Sequence, residues 1–381
     1  MTDTWTTLPP GARVVVAMSG GVDSSVAAAL LAERGHDVIG ITMKHFCYSE
    51  VPEEASASAC CSLEAIEDAR AVARQVGFPH HVLDFEGPFG EAVMDPFVAE
   101  YAAGRTPNPC VRCNRFVRFP QLWAKARLLE ADAVATGHYA RAVAGAGGVE
   151  LRRPADRDKD QTFYLWGLTR PLLDRALFPL GDSTKEAVRA KARELGLPVA
   201  EKAESQDICF IPDGDLKGFL ERRAAEDAGA AGSTGRFEPG PIRTEAGAAV
   251  GTHDGSGFYT VGQRRGLGLS GFDRPRYVTR IEPDNTLVVG TEDELLKGGL
   301  EAGDLNWLID PPAGPFRAEA QIRHRSAPVP ARVEPGPGRT ARVTFDAPVR
   351  AVAPGQSAVF YREDRVLGGG TIVRALDGSE P

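Results

Sequence analysis

No run of about 18 apolar residues occurs in the 381-residue sequence, so nothing in it reads as a membrane span. The first ten residues, Met1 to Pro10, are polar with one acid and no base, which argues against a signal peptide. Cysteine is scarce. Six in so long a chain make no disulfide scaffold, and a reduced, cytoplasmic protein is expected, its cysteines being packing, metal ligands or catalysts. The Walker pattern, with Gly-Lys-Ser/Thr after four spacers, is missing, and so is the dinucleotide GxGxxG spacing. A second CxxC, needed for a Cys₄ zinc site, is also missing. No internal repeat is evident. Excess positive charge is lacking too, since the net charge is −8. That does not exclude nucleic acid, because net charge reports solubility better than it locates a binding face.

The length suits two or three domains. Residues 13 to 200 alternate strands with helices. Arg13 to Met18, Asp37 to Met43, His80 to Phe85 and Asp132 to Thr136 read as strands. Ser24 to Arg34, Leu63 to Val76, Phe119 to Glu130 and Thr184 to Leu195 read as helices, three of them closed by Gly35, Gly77 and Gly196. Strands joined by crossover helices predict an α/β, doubly wound parallel sheet. Asp215 to Ala225 suggests one more helix, and Ala228 to Gly257 is rich in Gly, Ala and Pro with few apolar residues. From Tyr277 onward, short β-type runs at 277–281, 286–289, 341–345 and 358–361 suit a small antiparallel barrel. The expected domains are 1–215, catalytic; 216–285, small and central; and 286–381, a β-barrel.

Local charge is more informative than the total. Arg105, Arg112, Arg115, Arg118, Lys125 and Arg127 follow one another with no carboxylate between them. Arg264, Arg265, Arg274, Arg276 and Arg280 form a second cluster, and Arg317, Arg323, Arg325 and Arg332 a third. Such clusters either neutralise a phosphate backbone or form an ordinary solvated face.

Ser19-Gly20-Gly21-Val22-Asp23-Ser24-Ser25 lies between the first strand and first helix. Two glycines let the backbone turn tightly and approach a ligand. The helix start offers unpaired amides and a positive dipole end to an anion. Ser24 and Ser25 add hydroxyls, and Asp23 can hold Mg²⁺ against phosphate oxygens. A plain glycine turn with a serine cap is the bland alternative. The stretch matches the SGGxDSS motif of ATP pyrophosphatases, which split ATP between the α- and β-phosphates. In such a sheet the nucleotide lies across the carboxyl ends of the strands, so Met43 and Gly137 are placed to border the adenosine.

Cys110 and Cys113 form a lone CxxC, compatible with zinc, iron–sulfur, a redox pair or chance. Arg112 and Arg115 flank Cys113 and favour its thiolate. Cys209 stands alone. Cys47, Cys60 and Cys61 fit no pattern and read as small buried hydrophobes.

Further stretches carry a family resemblance. They are Ala17-Met18-Ser19 to Ser25, Thr106-Pro107-Asn108-Pro109 with Cys113-Asn114, Thr136 to Ala140, Lys159-Asp160-Gln161, Phe178 to Gly181, Glu204 to Ile211, Tyr259 to Gly268 and Pro354-Gly355-Gln356. In this order, and across nearly the whole chain, the sequence resembles the bacterial tRNA-specific 2-thiouridylases. The resemblance implies that ATP, with Mg²⁺, adenylates O2 of the wobble uridine of a tRNA and releases pyrophosphate. Ala17, Met18, Ser19, Gly20, Gly21, Val22, Asp23, Ser24, Met43 and Gly137 would bind the ATP. Cys209 would carry sulfur as a persulfide supplied by an upstream sulfur-relay protein. Cys113 would be the partner nucleophile, closing a Cys113–Cys209 disulfide as sulfur leaves. Asn108, Pro109 and Cys110 would border the target base, and Lys159, Asp160, Gln161, Arg323 and His324 would touch the tRNA. A soluble monomer is expected.

One departure stands out: many members have Asp where this chain has Cys110. Cys110, Cys113 and Cys209 thus suggest an alternative, three corners of a [4Fe–4S] cluster. Two other functions compete. An amide-forming ATP pyrophosphatase needs an ammonia source, and no glutaminase domain is evident. A nucleotide-sensing tRNA-binding protein without turnover leaves Cys113 and Cys209 unexplained.

Overall fold

The computed structural model describes residues 3–45, 62–203, 208–226 and 235–377. Cys47, Cys60, Cys61 and the Glu204-Ser205-Gln206-Asp207 stretch lie outside them.

The β-branched run after Gly11 forms β1 (Arg13–Ala17), with all three valines fully buried. Val15 packs into one hydrophobic core while Val14 and Val16 pack into another, the alternation expected of a strand covered on both faces. Around it lie β2 (Asp37–Lys44), β3 (His80–Asp84) and β4 (Ala133–Ala135). Next come a hairpin of β5 (Arg141–Gly145) and β6 (Gly148–Arg152), and then the two-residue β7 (Ala176–Leu177). The first sheet has the order β3-β2-β1-β4-β7 and every pairing in it is parallel. Strand order reverses at β1, which opens a crevice beyond the carboxyl ends of β1 and β4.

The helices are α1 (Val22–Glu33), α2 (Leu63–Val76), α3 (Asp95–Ala102), α4 (Phe119–Leu128), α5 (Lys185–Glu194) and α6 (Leu216–Glu226). Ser62 and Thr184 cap α2 and α5 by accepting from the backbone N–H groups of Ala65 and Ala187. Gly77 ends α2 at φ 95°, as its type predicts.

A second sheet holds β8 (Gly240–Thr244), β9 (Ala249–His253), β10 (Tyr277–Ile281) and β11 (Leu287–Gly290), in the order β10-β11-β8-β9. Two expectations change here. The Gly/Ala/Pro-rich stretch contains β8 and β9, and the runs at 277–281 and 286–289 belong to this sheet rather than to the terminal barrel. Glycine, proline and alanine have little strand preference, so packing decides. Ile242 is fully buried against Val278, Leu287 and Val289.

The last sheet comprises β12 (Leu296–Trp307), β13 (Phe316–Gln321), β14 (Val329–Gly336), β15 (Thr340–Arg350), β16 (Ser357–Arg362) and β17 (Arg365–Leu376). β17 pairs back onto β12, closing an antiparallel barrel, and the β5–β6 hairpin joins its rim where Arg152 meets Arg365. Asp364 accepts from Arg141 and Arg152, tying hairpin to barrel.

Three motifs meet where the domains join. Thr106 N–H donates to Pro354 O at 2.8 Å, and Gln356 Nε2 donates to Thr106 O at 3.0 Å. Thr106 Oγ1 donates to Thr260 Oγ1 at 3.2 Å. Gly355, at φ 91°, has no room for a Cβ, which would stand 2.8 Å from Thr106 N.

Candidate active site

The Ser-Gly-Gly loop closes on itself. Ser24 Oγ accepts from Ser19 N at 3.1 Å, and Ser25 Oγ donates to Gly21 O at 2.9 Å. Gly20 sits at φ 69° with its Cα against α2, so that a Cβ would come 2.1 Å from Ala65 O. A Cβ on Gly137 would stand 2.6 Å from Ser24 N. The end of β4 therefore lies directly over the first amides of α1.

Asp23 does not stand alone at this helix start. Lys185 Nζ donates to both its carboxylate oxygens, at 2.7 and 2.8 Å, and Tyr139 OH donates to Oδ1 at 2.9 Å. Lys185 is 8% exposed and opens α5, and its backbone N–H donates to Asp156. In sequence it looks like an ordinary helix-surface lysine, so only the fold reveals it.

A hollow of about 200 Å³ at the strand ends is lined by Ala17, Met18, Ser19, Asp23, Met43 and Gly137, with Arg118, His138 and Gln161 at one side. A second cavity, of about 810 Å³, holds Cys110, Cys113 and Cys209, and it too is walled by Arg118, His138 and Gln161. Those three residues are the partition between phosphate loop and thiols.

The cysteines reach the cavity by different routes. Asn108 Oδ1 accepts from Val111 N and Pro109 occupies the first helical position, starting the turn Pro109–Arg112. The run continues as a π-helical stretch, Cys113–Arg118, before α4, and such bulges favour functional sites. Cys110 is exposed at the rim, while Cys113 is 6% exposed within the core. Cys209 lies in the turn closed by Ile211 N–H to Ile208 O at 2.8 Å. The neighbouring Phe210 anchors that turn, its ring lying 5.2 Å from Phe97 and 5.3 Å from Phe219.

The partition is polar and held. Arg118 donates to Asn114 Oδ1 at 2.8 Å, and Asn114 Nδ2 donates to Tyr164 O at 3.1 Å. Gln161 Oε1 accepts from Tyr139 N at 2.9 Å. His138 Nε2 is 3.4 Å from Arg118, a donor only, so its proton belongs on Nδ1, which lies 2.8 Å from Thr136 Oγ1. Burial, then the Arg118 charge, pushes the His138 imidazole down to about 3, and the same two causes push His45 to about 3.

A folded pKa below the unfolded value of about 6.5 means that the unfolded chain takes up the proton first. The stability due to a neutral histidine is complete above that value and is lost as pH falls toward 3. At pH 5, His45 alone costs about 2 kcal/mol. Thermal melts from pH 7 to pH 5 are expected to show this loss, and His45→Gln should flatten it. A slope unchanged by the substitution would refute the assignment.

The pattern described as the tRNA methyl transferase HUP domain matches residues 12–213. A PRC-barrel domain pattern matches 233–291, and an aminomethyltransferase β-barrel pattern matches 297–372. The tRNA-specific 2-thiouridylase MnmA of Heliobacterium modesticaldum is 49% identical over 369 residues, covering 96% of this chain and 93% of its own. That of Geobacter metallireducens is 49% identical over 368 residues, covering 96% and 97%. The chain belongs to the tRNA-specific 2-thiouridylase family. Among solved structures, the U34-tRNA thiolase NcsA of Methanococcus maripaludis with its [4Fe-4S] cluster is similar at TM-score 0.36 and 19% identity, covering 60% of this chain and 70% of that one.

The family's expected tRNA-facing residues divide. Cys110, Pro109, Lys159, Asp160, Gln161 and His324 line the larger cavity, and His324 lies 4.5 Å from the Tyr164 ring. Asn108 spends its side chain on the helix cap, and Arg323 donates to Ala351 O. The basic stretch from 105 to 127 is largely used within the fold. Arg105 pairs with Glu100, Arg115 with Asp304, and Arg112 donates to Ala92 O. Asp304 and Ala92 come from elsewhere in the chain, while Glu100 lies five residues before Arg105.

The structure lends the cluster alternative no support. Among the described residues, no three Cys, His, Asp or Glu side chains are grouped to hold a metal ion. Cys110, Cys113 and Cys209 line one cavity. None of the three is in a disulfide in this structure. Among the described residues no helix is long and apolar enough to cross a membrane.

Proposed function

We propose that the chain is an ATP-dependent tRNA 2-thiouridylase that adenylates O2 of the wobble uridine and replaces that oxygen with sulfur from a Cys209 persulfide. The observation that carries this reading is the shared wall of Arg118, His138 and Gln161 between the loop hollow and the thiol cavity. A uridine there has the α-phosphate on one side and sulfur on the other. The base must leave its stack to enter, as other base-modifying enzymes require.

ATP lies across β1 and β4, between Met43 and Gly137, with its phosphates at the Ser19–Ser24 loop. Magnesium enters with ATP as part of the substrate, and the Asp23 carboxylate, already paired with Lys185, makes no cation site by itself. Loop amides and Lys185 stabilise the charge that builds on the leaving pyrophosphate. Arg118 serves the uridine side of the same reaction, and neutral His138 supplies a hydrogen bond without a charge. The terminal sulfur of the Cys209 persulfide then attacks C2, and AMP departs. Cys113 attacks the Cys209 sulfur, freeing 2-thiouridine and leaving a Cys113–Cys209 disulfide. The partners are tRNA and an upstream persulfide donor.

The decisive assay incubates chain, ATP, tRNA and a persulfide donor and follows pyrophosphate and tRNA nucleosides together. Pyrophosphate release that requires tRNA, with 2-thiouridine formed, is expected. Binding of both ligands without turnover would favour a nucleotide sensor instead.

Arg325 is exposed at the cavity mouth, and Arg264 is exposed in the central sheet's loop. If both hold phosphates, Arg325→Gln with Arg264→Gln should flatten the salt dependence of tRNA affinity by roughly one unit per lost contact. Arg323→Gln, because it loses a bond to Ala351 O, should act on stability instead. A salt-independent affinity would remove the two exposed arginines from the interface.

A further inference from the structure

The wall between the loop hollow and the thiol cavity is a closed ring of contacts with Asn114 at its hub. Asn114 is 1% exposed and follows Cys113 in the π-helical stretch, where its carbonyl accepts from Phe119 N, five residues on. Its side chain is used in two directions. Oδ1 accepts from Arg118 Nη1 at 2.8 Å, and Nδ2 donates to Tyr164 O at 3.1 Å. Tyr164 N donates to Gln161 O at 2.9 Å. Gln161 N donates to Tyr139 O at 3.1 Å, while Gln161 Oε1 accepts from Tyr139 N. Tyr139 follows His138, whose Nε2 comes back to Arg118 Nη1 at 3.4 Å. Asn114 therefore joins the stretch that bears Arg118 to the turn that bears Gln161. An apolar residue of its size would fill the same space and make neither bond.

Arg118 lines the loop hollow and the thiol cavity alike. A guanidinium is planar, and two acceptors from separate elements, Asn114 Oδ1 and His138 Nε2, meet it at Nη1 and set its plane. The α-phosphoryl group is the part of the substrates that belongs to both hollows. It begins on ATP at the loop and ends on uridine O2, beside the sulfur.

We propose that Arg118 holds the α-phosphoryl group through both half-reactions and that Asn114 is the positioning residue that aims it. The inference rests on the thiouridylase reading above. In the first step uridine O2 bonds to the α-phosphorus and the α–β bridge breaks, its electron pair leaving with pyrophosphate. In the second, the persulfide sulfur bonds to C2 and the C2–O2 bond breaks, its pair leaving with AMP. The uridine N3 proton, given to solvent in the first step, returns when 2-thiouridine is released. Negative charge gathers on oxygens of the same phosphoryl group in both steps, so one fixed cation serves two transition states.

The test uses the full chain, loaded with sulfur by a persulfide donor, in a single turnover with tRNA and ATP labelled in its α-phosphate. The label is followed from ATP to tRNA to AMP, so each step gives its own rate. Arg118→Gln should slow both steps by roughly a hundredfold, the usual cost of one preorganised donor. Asn114→Ala should slow both by roughly tenfold through misplacement of that donor, with KM for ATP and for tRNA within a few-fold of the parent. The double variant should lose no more than Arg118→Gln alone, within about twofold, because Asn114 acts through Arg118. If Asn114→Ala does not fold, Asn114→Ser, which retains a hydroxyl acceptor, takes its place in the cycle. Losses that multiply in the double variant overturn the positioning role, since a merely structural asparagine would weaken both backgrounds alike. Label that leaves the tRNA of Arg118→Gln at the parental rate overturns the hold on AMP. Label that never reaches tRNA in the unaltered chain takes down the thiouridylase reading and the inference with it.

Discussion

Asp23→Ala is expected to lower tRNA-dependent pyrophosphate release by roughly a hundred- to a thousandfold, the usual cost of removing one preorganised charge-stabilising group. The reason is the company Asp23 keeps. Its two oxygens hold the Lys185 ammonium at 2.7 and 2.8 Å and Tyr139 OH at 2.9 Å, directly beneath the loop amides. Without the carboxylate, Lys185 loses the group that aims it. The Lys185 side chain is 10% exposed, so a stability loss of up to about 3 kcal/mol accompanies the change. Asp23→Asn separates the two effects, because the amide keeps the volume and still accepts from Tyr139. Affinity for tRNA, measured alongside, should stay within a few-fold of the parent. Normal thiolation in Asp23→Ala would mean that this loop is not where ATP is cleaved.

Cys209→Ala is expected to abolish 2-thiouridine while leaving tRNA-dependent pyrophosphate release in place. Adenylation draws on the loop hollow, and sulfur comes from the far side of the partition, so the two half-reactions come apart. Cys113→Ala is expected to lose the product equally, with one difference. Loaded by the persulfide donor before ATP and tRNA are added, its Cys209 should carry the extra sulfur, found by mass spectrometry as a persulfide peptide, and after they are added it should hold the uridine through that sulfur. Thiolated tRNA from Cys209→Ala would show that sulfur reaches the uridine by another route.

Periodicity in the first two hundred residues was easy to read, and the reason is local. Leu63 to Val76 begins at a serine cap and ends at a glycine with positive φ, so its boundaries are written in the chain itself. The valines of β1 announce a covered strand just as directly. The central sheet was not legible, since Gly240, Pro241 and Ala249 say nothing of strands until Ile242 finds Val278 and Leu287. The β5–β6 hairpin signals weakly for a similar reason, because residues 144–148 at its turn end are all Ala or Gly.

Site chemistry divides along a similar line. The phosphate loop and the CxxC are contiguous and carry their meaning in their spacing. Lys185 lies 162 positions from Asp23, and Arg115 finds Asp304 across 189, so no window of sequence contains both partners. Charge clusters are misleading for that reason. A run of arginines looks unpaired when a carboxylate such as Asp304 lies far along the chain.

The bond from Gln356 to Thr106 spans 250 residues and joins the last domain to the residues just before the catalytic helix. During synthesis the loop, the first sheet and both CxxC thiols leave the ribosome long before residues 354–356 exist. A nascent chain therefore holds a phosphate loop whose neighbouring helix start lacks its clamp. The clamp closes only when the barrel has been made, which ties assembly of the thiol cavity to completion of the polypeptide.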